Sequence, residues 1–299
     1  MQTIYRFLIH FFILSTLLMN SINADTLIGS QAILDSADDA DWRTPEDKNL
    51  LYMQHAKGQV IFELAPAFAP EVIANIRQLV TQGYFDGLAI IRVQDNYVVQ
   101  WGDSLAGKDG ARSLGEAKTE LEPEFFRERA GLDIVPLDSR DAYAEEVGFV
   151  DGFPVASDGK RAWLTHCYGM LGVGRDYAFN SGNGAELYVV TGHAPRHLDR
   201  NVTLIGRVIA GVETLSSLPR GTGFLGFYED EKEHVRISSI RFGDDISETE
   251  RVSLQVLRTD SRTFQDYVQS RTHRKESWFA DPAGRIEICN VQIPVKELE

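Results

Sequence analysis

Between residues 50 and 100 the chain switches between two periods of apolar and polar positions. Leu50-Leu51-Tyr52-Met53 and Val60-Ile61-Phe62-Glu63-Leu64 are short apolar runs around a polar stretch, Gln54 to Gln59, that contains Gly58. That pattern predicts a β-hairpin. A helix follows. Pro70 suits a first helical turn, where its missing N–H costs nothing. Val72, Ile73, Ile76, Leu79 and Val80 then share one face at helical spacing, and Gly83 supplies a C-terminal stop. Leu88 to Val93 and Tyr97 to Gln100 read as strands joined by a tight polar turn at Gln94-Asp95-Asn96.

Strands resume near Trp163, at Glu186 to Thr191, Val202 to Val208 and Val235 to Phe242, with a short second helix at Val212 to Leu218. A strand-like run closes the chain at Arg285 to Val291. The region from Gly102 to Ala162 is hard to read beyond a short helical signal around Glu122 to Arg129. A structureless loop of that length is unusual in a compact domain, so the region is expected to be an insertion with structure of its own. The acidic stretch Asp25 to Lys48 reads as an irregular wrap, pinned by Trp42. Many short strands and few helices predict a mainly β barrel or sandwich. The expected organisation is a polar segment at 25–48, a barrel at 49–248 with an insertion at about 104–162, and a C-terminal extension at 249–299.

The first residues break this pattern. Arg6 precedes an apolar run from Phe7 to Met19, and Ser21-Ile22-Asn23-Ala24 ends on a small residue. That order is expected of a secretory signal peptide at residues 1–24, cleaved after Ala24. The run is shorter than the ~20 residues needed to span a bilayer.

Composition narrows the chemistry. A formal net charge of -14 excludes nucleic acid as an expected partner, since phosphate contacts need clustered Lys and Arg. It also gives no support for docking on an anionic membrane. His193 and His197 are four apart, but Pro195 between them disrupts the helix a metal pair at that spacing needs. Neither a phosphate-binding glycine loop nor a nucleophile elbow is found, and no metal or cofactor is expected. Cys167 and Cys289 are the two cysteines. In an exported chain they are either a disulfide or two buried thiols.

One ordered set of motifs is more specific. Val60 to Asp103 runs through a strand ending Glu63-Leu64, an Ala-Pro at 69–70 that opens the helix, Gly83-Tyr84-Phe85-Asp86-Gly87, and then Arg92, Val93, Tyr97, Val98, Gln100, Gly102 and Asp103. Gly169 to Arg175, Asn183 to Val190, and His197-Leu198-Asp199 followed by Leu204 to Val208 continue it. Together these blocks resemble the cyclophilin family of peptidyl-prolyl cis/trans isomerases.

The resemblance implies an eight-stranded antiparallel β-barrel capped by two helices, with a groove that receives proline-containing segments. It implies that Arg92 is the catalytic arginine and that Gln100 orients it. Tyr97, Val98, Tyr188 and Leu198 would seat the proline ring, with Gly174, Arg175, Glu186 and His197 also against the substrate. Such a site needs no cofactor. Rotation about a peptide bond faces a barrier of roughly 18–20 kcal/mol, and a fixed donor aimed at the prolyl nitrogen helps most when that nitrogen regains its lone pair in the twisted amide. This sequence departs from the family at Ile91, where histidine is usual, at Glu186 for glutamine, at His197 for tryptophan, and at Val202 for histidine or tyrosine. Retention of Arg92 and Gln100 implies an isomerase. The departures point to the alternative of a binding module or chaperone for proline-containing segments.

Overall fold

The structure, a computed structural model, describes residues 29–298; the signal peptide expected at 1–24 lies outside them. Eight antiparallel strands close into a barrel: β1 (Leu50–His55), β2 (Gly58–Leu64), β3 (Ala89–Val93), β4 (Val98–Gly102), β5 (Met170–Val173), β6 (Leu187–Val190), β7 (Leu204–Ala210) and β8 (Val235–Phe242). Their order around the barrel is β5-β6-β4-β3-β8-β1-β2-β7, and β7 pairs back onto β5. The mainly β barrel expected from the sequence is therefore the fold.

Strand alternation divides the side chains. Leu51, Met53, Phe62, Val99, Trp101, Leu171, Leu187 and Val189 fill the interior. Val98, Tyr188 and Leu204 belong to a second apolar cluster on the outside of the wall. Among the described residues four α-helices accompany the barrel: α1 (Ser30–Asp35), α2 (Pro70–Thr81), α3 (Val212–Ser216) and α4 (Arg262–Thr272). The two expected caps are α2, which buries Val72, Ile73, Ile76, Leu79 and Val80, and α3, which buries Leu215 against the same interior. Gly83 closes α2 at φ +72, a left-handed conformation that favours glycine.

Residues 127–164 build a separate five-stranded sheet, in the order Arg127–Glu128, Arg161–Leu164, Phe153–Ser157, Glu146–Val150, Val135–Pro136. The expected helix around Glu122 to Arg129 does not form. Pro123 lacks a backbone donor, and the Glu124 carboxylate is spent elsewhere. It accepts the backbone N–H groups of Glu71 and Val72 at 3.0 and 2.9 Å, capping the open N-terminus of α2 from outside. The strand-like run at Arg285 to Val291 is also not a strand. It contains a 3-10 turn, Ile288–Asn290, held by the Glu287 side chain accepting from the Cys289 N–H.

The N-terminal and C-terminal segments pair in a three-stranded sheet, Trp42–Arg43, Leu254–Leu257 and Val295–Glu297. Trp42 is buried there, while α1 gives the acidic stretch more regularity than an irregular wrap. The second apolar cluster joins the outer barrel wall to Phe149, Val155 and Trp163 of the insertion and to Phe264, Ile288 and Val291 of the extension. A disulfide between Cys167 and Cys289 crosses this cluster.

Candidate functional site

One face of the barrel, the outward surface of β3, β4 and β6, floors an open cleft of about 1220 Å³. That volume far exceeds one proline ring and leaves room for a chain segment. Arg92, Tyr97, Val98, Gln100, Gly174, Arg175, Glu186, Tyr188 and Leu198 all line it. Ile91 and Val202, two of the departures, line it as well. His197 does not. It sits in the 3-10 turn Arg196–Leu198, where residues one apart point about 120° apart. Arg196 turns inward, Leu198 reaches the cleft, and His197 is left exposed. The structure therefore does not bring His197 into the cleft with the other expected site residues.

Arg92 and Gln100 are directly opposite on β3 and β4. Arg92 Nη1 donates to Gln100 Oε1 at 2.8 Å, and Gln100 Nε2 donates to Glu186 Oε2 at 2.7 Å. The carboxylate therefore holds Gln100 with its oxygen facing the guanidinium. Arg92 Nε donates to the Leu225 carbonyl at 2.8 Å, and Nη2 donates to Gln94 Oε1. The rings of Tyr97 and Phe227 stand 5.7 and 5.4 Å from the guanidinium carbon. Three of the five N–H donors of Arg92 thus fix its plane, and two remain. Leu225 holds its carbonyl there from a left-handed backbone conformation, φ +55, between Gly223 and Gly226. Sequence reading missed this contact, because a backbone acceptor leaves no side-chain signature.

Burial pushes the Arg92 guanidinium below its usual value, partly offset by the charges of Tyr97 and Glu186. Arginine stays charged throughout the physiological range regardless. Burial pushes the Glu186 carboxyl up, and the hydrogen bond from Gln100 only partly opposes it. The folded chain thus holds this proton at pH values where the unfolded chain has lost it. Stability from this group falls as pH rises from the ordinary glutamate range through the raised folded value. Glu186→Gln keeps an acceptor for Gln100 without the buried charge. In urea unfolding it is expected to stabilise the chain at pH 7, with the gain vanishing below about pH 4 as the wild-type carboxyl is protonated in both states. An equal gain at both pH values would show that the charge is not the cause.

One end of the cleft is apolar. Val98 is 2 % and Tyr188 6 % exposed, and Leu198 and Val202 face the same space. Gly174 lies against Glu186, where an added Cβ would be 3.0 Å from the glutamate Cβ, and its N–H donates to the Glu186 carbonyl at 2.8 Å. Arg175 is held by the Asn201 and Asp176 carbonyls at 2.9 and 2.6 Å. Among the described residues no cluster of three or more metal-type ligands is found.

A closed eight-stranded barrel, two caps and an arginine–glutamine pair over an apolar seat define a cyclophilin-type barrel. Comparison with known proteins gives the same class. The family model described as "Cyclophilin type peptidyl-prolyl cis-trans isomerase/CLD" matches residues 50–241, and the chain belongs to that family of peptidyl-prolyl cis-trans isomerases. A Brucella suis protein named "Probable peptidyl-prolyl cis-trans isomerase" is 24% identical over 177 residues, 59% of this chain and 74% of its own length. A mouse protein, "Peptidyl-prolyl cis-trans isomerase-like 1", is 28% identical over 93 residues, 30% of this chain and 54% of its own. The crystal structure of cyclophilin AquaCyp293 from Hirschia baltica superposes with a TM-score of 0.69 at 24% identity. That match covers 89% of this chain and 96% of that one, so the shared fold extends beyond the barrel.

Proposed function

We propose that this chain accelerates isomerisation of X–Pro bonds in exported polypeptides, and that Arg92 does so by donating to the prolyl nitrogen of the twisted amide. The observation that carries the mechanism is the Glu186–Gln100–Arg92 chain of hydrogen bonds. It presents a preorganised, permanently charged donor beside an apolar seat of Tyr97, Val98, Tyr188 and Leu198. A planar amide nitrogen has no lone pair to offer, so the interaction strengthens only as the bond twists, which is the condition for catalysis. No covalent intermediate, metal or cofactor enters.

A binding module without turnover is the second reading. It is favoured by Nε, Nη1 and Nη2 of Arg92 each already holding an intramolecular partner. NMR exchange spectroscopy on an X–Pro tetrapeptide separates the two. Cross-peaks between the isomers with the protein present support the enzyme. Peptide shift changes without exchange support the binding module.

The export reading rests on the order of residues 1–24 and is supported by the Cys167–Cys289 bond, since disulfides persist in oxidising compartments. In a Gram-negative host the periplasm is the expected destination. Intact-mass analysis of the chain recovered from that compartment is expected to show Asp25 as the first residue. A retained Met1 would overturn the reading.

A further inference from the structure

Tyr188 is bound on its buried side by a chain of polar groups that the mechanism above does not use. On β5 its partner in register is Gly172. A Cβ at Gly172 would stand 2.3 Å from the tyrosine ring, so only glycine lets the ring lie flat over that strand. The hydroxyl thereby reaches His166 Nε2 at 2.8 Å, with the two rings 11° from parallel. His166 Nδ1 lies 2.9 Å from Asp199 Oδ1, which also accepts the backbone N–H of His166 at 2.9 Å. Asp199 Oδ2 accepts from Arg196 Nε at 2.6 Å and from the Trp163 indole at 3.3 Å. Arg196 in turn grips Asp141 through both Nη atoms, at 2.8 and 3.0 Å.

The side chains of His166 and Asp199 are 0 % and 2 % exposed. Burial pushes the imidazole below its usual value, with only partial opposition from Asp199. Burial alone would raise the Asp199 carboxyl, but the His166 hydrogen bond and the Arg196 charge carry it below the usual range. A neutral imidazole beside a carboxylate keeps its proton on Nδ1. Its Nε2 is then an acceptor, and the Tyr188 O–H is the donor.

We propose that His166 is a positioning residue of the proline seat: it orients the Tyr188 ring and occupies the hydroxyl proton, so that the cleft meets an apolar ring with no free donor. Phenylalanine at 188 would fill the same volume without a partner. What the hydroxyl adds is a fixed orientation, anchored through Asp199 and Arg196 to Asp141 and Trp163 of the insertion. The insertion thus acts on the substrate seat without touching the substrate. This rests on the isomerase reading in which Tyr188 seats the proline.

The test is a double-mutant cycle of His166→Ala and Tyr188→Phe, read as KM and kcat on an X–Pro tetrapeptide by NMR exchange, with melting temperatures alongside. Each single variant is expected to raise KM about fivefold, the worth of one hydrogen bond, with kcat within about twofold. The double variant is expected to be no worse than either single one. His166→Gln, whose amide oxygen can stand near the place of Nε2 and accept the phenol proton, is expected to restore most of the affinity. Unchanged KM with a lowered melting temperature overturns the proposal and leaves the network a purely structural one. Additive KM effects overturn it as well. Should His166→Ala fail to fold, Tyr188→Phe and His166→Gln decide the matter, since a KM unchanged by Tyr188→Phe is equally fatal. Should the wild type show no turnover, the isomerase reading fails, and the same variants read as peptide Kd by NMR titration still decide the positioning role.

Discussion

Arg92→Ala is expected to lower kcat/KM for X–Pro isomerisation by about 100-fold or more while leaving the barrel folded. The size follows from the role. Removing one preorganised donor from a site that stabilises developing electron density typically costs about 10²–10³ in rate. Here that donor is the one charged group aimed into the apolar end of the cleft from β3. The fold should survive because Arg92 lies on the outer face of the wall, apart from the interior cluster of Phe62, Val99, Trp101 and Val189. What the guanidinium loses locally is its grip on the Leu225 carbonyl and on Gln100. A near-unchanged melting temperature with abolished exchange is the outcome that identifies the site. Arg92→Lys sharpens it: an ammonium keeps the charge but not the rigid fork that Gln100, Gln94 and Leu225 hold, so lysine is expected to recover little. Wild-type turnover in Arg92→Ala would place the chemistry elsewhere in the cleft.

Which features were legible in the sequence has a physical explanation. Strands β1, β2, β3 and β4 declare themselves as short, nearly continuous apolar runs because both faces of the wall are largely covered, one by the interior and the other by outer clusters, while helix α2 keeps the helical period of one buried face, punctuated by Pro70 and Gly83. Helix α4 does not. Only Phe264, Tyr267, Val268 and Thr272 turn inward, while Arg262, Gln265, Asp266 and Gln269 leave the segment strongly polar on average. The Glu122 to Arg129 signal misled because Glu124 spends its carboxylate on another helix, a tertiary use that overrides local propensity.

The cleft divides in the same way. Arg92 and Gln100 are eight residues apart across one turn, and their pairing could be anticipated from a hairpin. His166 meets Tyr188 from one segment, and Asp199 and Arg196 back it from the turn of another, and each reads singly as an ordinary polar residue. The signal that could have found them is the pairing of a tyrosine with a facing glycine at 172, which leaves a hydroxyl inside the wall in need of an acceptor. His197 stands outside the cleft because it is one step along a 3-10 turn from Leu198, which lines the cleft, and from Arg196, which turns inward.

Breaking the Cys167–Cys289 bond is expected to remove about 3–5 kcal/mol of stability. The two cysteines are 122 residues apart, and closing a loop of that length restricts the unfolded chain by about 5 kcal/mol in the chain-entropy account, with measured losses for native bonds of about 2–5 kcal/mol. The bond also joins parts that have little else in common along the chain. Cys167 follows the last strand of the insertion sheet, and Cys289 lies in the 3-10 turn of the extension, where Glu287 stands 3.6 Å from Arg196. Around it, Trp163, Phe149, Phe264, Ile288 and Val291 make one apolar cluster separate from the barrel interior. The loss should therefore fall on that second cluster first, loosening the extension from the outer wall while the barrel retains its own core. In urea, the midpoint of the Cys167→Ser/Cys289→Ser variant is expected more than about 1 M below that of the oxidised wild type. Wild type in reductant should move the same way, and the variant should be indifferent to reductant. Coincident midpoints for oxidised and reduced wild type would mean that the bond does not tie the extension down in solution. Because His166 adjoins Cys167, the reduced chain should also bind X–Pro peptide more weakly, linking the oxidation state of the outer cluster to the seat that Tyr188 forms in the cleft.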